Sequence, residues 1–411
     1  MKKVAIITSG TFPVPPTKGG AVENLIQILS RENNLFNELD LTIFSIYDDE
    51  AKKKSKLDTD TDYRFVKIPL IIRFFNIIIY FFFSKILRKK KVMSYRFIGQ
   101  RIYYIISVAK AIHNENYDVL ILENHPTLFL CIKLFGNYSK YKNKYIYHMH
   151  NKLNGFYGCQ KIIENTSLIM GVSQYILNIF KEEVPNYSKK MKFEVLRNKV
   201  DLKRFRCNLT QKEKSQLRIK LNLPPNKKII LFSGRMNKEK GIDKLLLAWK
   251  GVNKKDAILL IVGSYYYKSG IKNDTFSERI NTLIRNQKNI YFTGYVDYDE
   301  MPKIYSLADL VVLPSIWEDP APLTVIESLT SGCPLITTNS GGIPEYINPQ
   351  NTILLKKEDP DFPEKLADKI NFLLSNPNQL VIMQNSALKF TQQWDTESYY
   401  KDFIKIINKV I

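Results

Sequence analysis

Between Ser233 and Glu345, three short stretches carry residues suited to holding a charged ligand. They read Ser-Gly-Arg-Met-Asn-Lys-Glu-Lys-Gly, Pro-Ser-Ile-Trp-Glu-Asp-Pro-Ala-Pro-Leu-Thr-Val-Ile-Glu and Asn-Ser-Gly-Gly-Ile-Pro-Glu. Each follows an apolar, strand-like run, and open α/β sheets bind phosphorylated ligands outside the carboxyl ends of their strands. The planar guanidinium of Arg235 can grip two phosphate oxygens, and Lys240 adds a mobile point charge. Together they could offset the charge that builds on a diphosphate leaving group. Asp319 and Glu327 bracket the next turn, with Glu318 adjacent. A carboxylate on the following helix can accept both vicinal hydroxyls of a ribose. The earlier acid would stand at the helix N-terminus, where negative charge is favoured, or act as a plain N-cap. Gly341 and Gly342 offer backbone donors, a second possible contact for a diphosphate.

The first half of the chain has two weaker features. Gly19 and Gly20 precede a helical pattern opening near Ala21, where free N–H groups favour an anion, although a plain turn fits as well. No Gly-x-Gly-x-x-Gly occurs there, so this is not the dinucleotide fingerprint. His148 and His150 are two of only four histidines, and on an extended segment they point the same way. No third ligand sits beside them in sequence, so the expectation is no metal and a polar contact from His150 to a substrate hydroxyl.

Apolar, β-branched runs that could be strands alternate with helix-period segments. The strand candidates are Lys3–Ser9, Leu41–Tyr47, Val119–Glu123, Lys144–His148 and Leu168–Val172, then Lys228–Ser233, Ala257–Gly263, Ile290–Thr293, Leu310–Pro314 and Pro334–Thr338. Ala21–Arg31, Gly241–Lys250 and Thr324–Ser331 have apolar residues three or four apart. This alternation predicts parallel sheets covered on both faces. A chain of 411 residues is too long for one core, so two domains are expected, residues 1–198 and 199–385. The apolar helical pattern of Ser386–Ile411 would carry the chain end back across the first domain.

The charge is +21 and unevenly spread. From Tyr63 to Asn114 there is no Asp or Glu, but Arg64, Lys67, Arg73, Lys85, Arg88, Lys89, Lys90, Lys91, Arg96, Arg101 and Lys110 are interleaved with isoleucine and aromatic runs. The longest uncharged run, Phe74 to Ser84, falls short of the roughly 20 residues a spanning helix needs. The pattern suits a helix lying on an anionic membrane; a buried helix with a solvated basic flank would not account for the missing acids. No helix-turn-helix, zinc-finger or RNA-recognition signature is present, so no nucleic-acid partner is expected. Four scattered cysteines and a short N-terminal apolar run point to a reducing compartment and a chain that is not secreted.

Taken together, Ser-Gly-Arg-x4-Lys-Gly-Ile-Asp, Pro-Ser-x2-Glu-Asp-Pro, the acid-x7-Glu spacing and Gly-Gly-x-Pro-Glu resemble the retaining glycosyltransferases of family 4. The match covers nearly the whole chain and is specific only in combination. The resemblance implies a GT-B fold, two Rossmann-like domains facing across a cleft. It implies Arg235 and Lys240 on the diphosphate of a UDP- or GDP-linked sugar, with Glu327 on the ribose. Asp319 would take the place of the family's first acid near the donor sugar, with Glu318 as the alternative. His150, Gly19 and Gly20 would reach the sugar and phosphate from the first domain. Transfer would proceed with retention and without a metal or other cofactor. The family usually has Glu where Asp319 stands, one methylene longer. A membrane-associated enzyme on the cytoplasmic face, acting on a lipid-linked or surface-polysaccharide acceptor, is therefore expected. The alternatives are a soluble disaccharide or glucan synthase and a non-catalytic envelope or spore-coat protein on the same scaffold.

Overall fold

The computed structural model describes residues 1–81, 97–264, 275–285 and 287–410, except the side chains of residues 75 and 77–81. Two compact units emerge: Met1–Arg197 with Tyr399–Ile411, and Asn198–Ser398.

The first unit is built on a seven-stranded parallel sheet. Its strands are β1 (Lys2–Ile7), β2 (Leu39–Ile46), β3 (Thr61–Val66), β4 (Val119–Glu123), β5 (Tyr145–Met149), β6 (Leu168–Gly171) and β7 (Lys192–Val195), in the order β3-β2-β1-β4-β5-β6-β7. Every residue of β4, β5 and β6 is buried, as expected for strands covered on both faces. Tyr399, Tyr400, Phe403, Ile406 and Ile407 join this unit's core beside Val4, Leu29 and Leu39. Tyr400 also donates to Asn33 Oδ1 at 2.7 Å. The return of the chain end is shorter than the pattern of Ser386–Ile411 suggested. Ala387, Phe390 and Trp394 pack in the core of the second unit, so the crossing is made by residues from Tyr399 onward.

The second unit has a six-stranded parallel sheet of β8 (Lys228–Ser233), β9 (Ala257–Val262), β10 (Ile290–Gly294), β11 (Leu310–Leu313), β12 (Leu335–Thr338) and β13 (Thr352–Leu355), in the order β10-β9-β8-β11-β12-β13. Successive side chains of a strand go to opposite faces. Ile230, Phe232, Leu259, Ile261, Leu310 and Val312 enter one apolar core, while Ile229, Leu231, Ile258, Leu260, Val311 and Leu313 enter the other. Both sheets change direction of strand succession once, between β1 and β4 and between β8 and β11. In doubly wound sheets such a switch point leaves a crevice at the carboxyl ends of the strands.

β3, β7 and β13 carry no strand signal in the sequence reading. All three lie at sheet edges and are partly exposed, so they lack the continuous apolar run that marks the central strands.

Candidate functional site

At the β8–β11 switch point of the second unit a shallow, open depression is lined by Phe232, Ser233, Lys240, Leu313, Ser315, Pro322, Thr324, Val325, Thr337 and Ile343. Two loops meet there. Ile316 and Trp317 donate their N–H groups to the carbonyl of Glu239 at 3.0 and 3.2 Å, and the Ser315 hydroxyl donates to it at 3.3 Å. Gly241 has φ 68°, and a Cβ on it would lie 1.9 Å from the Pro314 carbonyl oxygen, so only glycine lets the two loops close on each other. This contact sets the Lys240 ammonium 2.6 Å from Asp319 Oδ2, with both side chains less than one-fifth exposed.

Arg235 shares the loop but is absent from the lining. Its side chain is half exposed and reaches Glu239 Oε2 at 3.8 Å. The two cations expected to act together are therefore paired with different acids, Arg235 with Glu239 and Lys240 with Asp319. Asp319 is neither N-cap nor first-turn residue. The helix Leu323–Thr330 is capped at Pro322, and Asp319 Oδ1 instead accepts the Ala321 N–H at 3.3 Å. Proline at 320 and 322 keeps the chain extended past the acid, which delays the helix start. Glu318 accepts from Lys357 and from the Gly341 N–H, while Gly342 N–H donates to the Asp319 carbonyl at 2.9 Å. The glycine donors that the sequence offered to a diphosphate are thus engaged with the 318–319 turn.

Glu327 lies one turn into the helix and is 4% exposed. It is not on the wall of the depression. Tyr305 donates to its Oε2 at 3.0 Å and lies 2.7 Å from the Ser233 hydroxyl, which does line the wall. Tyr298 bonds it as well. Burial pushes the Glu327 carboxyl up to about 7, against the lowering effect of the Tyr305 and Tyr298 hydroxyls. Neither tyrosine stood out in the sequence, because their spacing is that of ordinary core residues beside a helix.

In the first unit, Gly20 precedes the helix Ala21–Phe36 with φ 118° and no side-chain cap. Glu23, on the first turn, packs its carboxyl against Gly20, where a Cβ would meet Oε2 at 2.0 Å. The helix start expected to take an anion therefore already has an acid beside it. Burial raises that acid to about 7. His148 and His150 do point the same way, and a third group joins them. Glu123, at the end of β4, lies 3.1 Å from His148 Nδ1 and 3.1 Å from His150 Nε2. The expectation of no third ligand beside the histidines is corrected on this point. The β4–β5 register pairs Glu123 with His148, which the separation of 25 residues in sequence concealed.

Residues 213–390, most of the second unit, match the model of the family described as glycosyl transferases group 1. The second unit therefore carries a group 1 glycosyltransferase domain. Among curated proteins, this glycosyltransferase is similar to the putative glycosyltransferase YtcC of Bacillus subtilis, 25% identical over 363 residues, 86% of this chain and 79% of the relative. It is similar also to spore coat protein SA of Bacillus subtilis, 24% identical over 386 residues, 91% of this chain and 90% of the relative. Among solved structures, Anabaena HepE in complex with UDP superposes with a TM-score of 0.72 at 16% identity, covering 100% of both chains. That likeness and the two parallel sheets establish the GT-B fold for the glycosyltransferase.

Proposed function

We propose that this glycosyltransferase moves a sugar, with retention and without a metal, from a nucleoside-diphosphate donor to a lipid-linked or surface-polysaccharide acceptor at the inner face of the plasma membrane. The observation carrying the donor half is Lys240 on the wall of a switch-point depression, with its ammonium 2.6 Å from Asp319 Oδ2. Here the lysine takes the diphosphate, and Arg235, half exposed on the same loop, swings in to complete the grip. Asp319 is released to the donor sugar, with Glu318 beside it as the alternative acid, and Glu327 takes the ribose. Gly341 and Gly342 approach the phosphates as Glu318 lets go. His150, Gly19 and Gly20 of the first unit are assigned to the sugar and phosphate. The acceptor oxygen attacks the anomeric carbon on the leaving-group face, the bond to the diphosphate oxygen breaks, and the acceptor proton passes to that phosphate. The two cations stabilise the charge left behind, which is the role a metal would otherwise fill.

UDP bound to the similar HepE fold favours a uridine nucleotide as the first ligand to try. The test is a thermal-shift panel of nucleoside diphosphates and their sugars. One of them at a hundredfold its Kd should stabilise the protein by about 2.7 kcal/mol. A panel without any shift would sink the donor assignment.

Support for the membrane half comes from the helices Leu70–Phe81 and Ile98–Asn114, which leave Leu70, Ile71, Phe74, Phe97, Ile98 and Ile102 in solvent. These lie next to the acid-free basic stretch, whose Lys85, Arg88, Lys89, Lys90, Lys91 and Arg96 fall outside the described residues. Among the described residues no helix is long and apolar enough to cross a membrane. Replacing Arg88, Lys89, Lys90 and Lys91 by Ser should release the protein from anionic vesicles at moderate salt. Unchanged co-sedimentation of that variant would remove the membrane claim. The name of spore coat protein SA fits an acceptor at the cell surface.

A further inference from the structure

The Glu123–His148–His150 cluster sits at the carboxyl ends of β4 and β5, beside the other switch point, and the site described so far uses only one of its members. Its geometry fixes where the protons are. Glu123 is fully buried, which alone would raise its carboxyl, but the electrostatic pull of His148 and the hydrogen bonds from His148 and His150 outweigh that cost and hold it down to about 2. An ionised carboxylate can only accept. Each ring nitrogen facing it must therefore carry a hydrogen, so His148 bears its proton on Nδ1 and His150 on Nε2. The two nitrogens are 3.3 Å apart, and both N–H groups turn to the same carboxylate rather than to each other. The end of β4 is also locked in place. Asn124 N–H donates to the His148 carbonyl at 2.8 Å, and the Tyr147 hydroxyl donates to the Asn124 carbonyl at 2.7 Å.

We propose that Glu123 is the positioning residue that holds the His150 imidazole as the Nε2–H tautomer, leaving Nδ1 as an acceptor for a hydroxyl of the transferred sugar. The function of that acceptor rests on the assignment of His150 to the sugar. Burial, together with the neighbouring His148, keeps His150 uncharged by lowering it to about 4, so Nδ1 keeps its lone pair at neutral pH. No partner for Nδ1 exists among the described residues, as the proposal requires.

The same three ligand atoms lie within 4.8 Å of one another, as they would around a divalent cation. A metal-bound imidazole nearly always donates its second N–H to an acceptor. Among the described residues His148 Nε2 is buried with no partner, so the second half of such a site is missing there.

The test begins with the unaltered protein. It has four histidines, so long-range 1H–15N spectra can be assigned using His150→Gln and His148→Gln. The expected result is a proton on Nε2 of His150. A proton on Nδ1 would overturn the proposal without any change at Glu123. So would stoichiometric binding of Zn²⁺ that is abolished by Glu123→Gln. In Glu123→Leu the Nε2–H signature should be lost and kcat should fall roughly 10- to 100-fold, as expected when a reacting group is misplaced. Binding of the nucleoside diphosphate to the second unit should stay the same. Glu123→Gln, which still offers an oxygen to His150, should restore the signature and recover part of kcat. A folded Glu123→Leu that keeps both the signature and kcat would overturn the idea. Full activity in His150→Ala would instead refute the sugar contact of the proposed function while leaving the tautomer result standing, so the two failures can be told apart.

Discussion

Lys240→Ala is expected to lower kcat/KM for the nucleotide sugar by about 10²–10³, the loss typical of one donor aimed at developing charge. Lys240 and Asp319 form a close pair, 2.6 Å apart and largely shielded from water. A diphosphate must therefore compete with the carboxylate for the same ammonium. Removing the acid and removing the cation should then have opposite effects on the first ligand. Asp319→Asn frees Lys240 and should leave the affinity for a nucleoside diphosphate unchanged or tighten it by up to about tenfold, while transfer of the sugar falls. Lys240→Ala should weaken both and also leave Asp319 as a shielded charge without its partner, a structural cost of about 1–3 kcal/mol. Isothermal titration with the diphosphate, run beside a transfer assay, separates these outcomes. A Lys240→Ala enzyme within threefold of the parent would remove the lysine from the site.

The elements were legible where burial writes itself into the sequence. β4, β8 and the interior of the other central strands are near-continuous apolar runs, because each is covered on both faces. The edge strands β3, β7 and β13 were not, since one flank meets solvent and polar residues interrupt the run. The site divides in a similar way. Lys240, Asp319 and Glu327 announce themselves by type and by position after a strand. What they touch does not, because it depends on which strands are neighbours. Lys240 reaches Asp319 across 79 positions because β8 lies beside β11. Glu123 reaches His148 through the β4–β5 register. Such pairs follow from sheet order, which local spacing does not encode. Tyr298 and Tyr305 were hidden for another reason. A tyrosine that satisfies a buried acid has the same sequence signature as one that fills a core.

Glu327→Gln should make the ligand-free protein more stable at pH 8 and leave it nearly unchanged at pH 4.5, while weakening donor binding. The sign follows from burial. Glu327 titrates near 7 in the folded protein and near 4.5 when unfolded. Between these values the folded state holds the extra proton, so its stability falls as pH rises through the window. Below 4.5 the acid is neutral in both states and costs nothing. Above 7 it is ionised in both, and the folded state bears a buried charge penalty of about 3 kcal/mol. Glutamine keeps the shape and bears no charge. Its oxygen accepts from one tyrosine, and the second hydroxyl can rotate to accept from its amide. Glu23, also raised to about 7, titrates in the same window, so the quantity to measure is the difference between variant and parent at each pH. Chemical denaturation from pH 4.5 to 8 should give a difference that grows with pH and levels off above 7. A flat difference would mean that the carboxyl is ionised throughout. The tyrosine hydroxyls would then be solvating a charge held ready for the ribose, and the cost of that charge would have to be met elsewhere in the fold. A rising difference means that the site keeps an acid it would be more stable without, and ligand binding is the reason for keeping it. Two hydroxyls of a ribose donating to an ionised Glu327 would replace the solvation that burial removed. The donor should therefore bind more tightly above pH 7 in the parent, and the variant should show no such pH dependence.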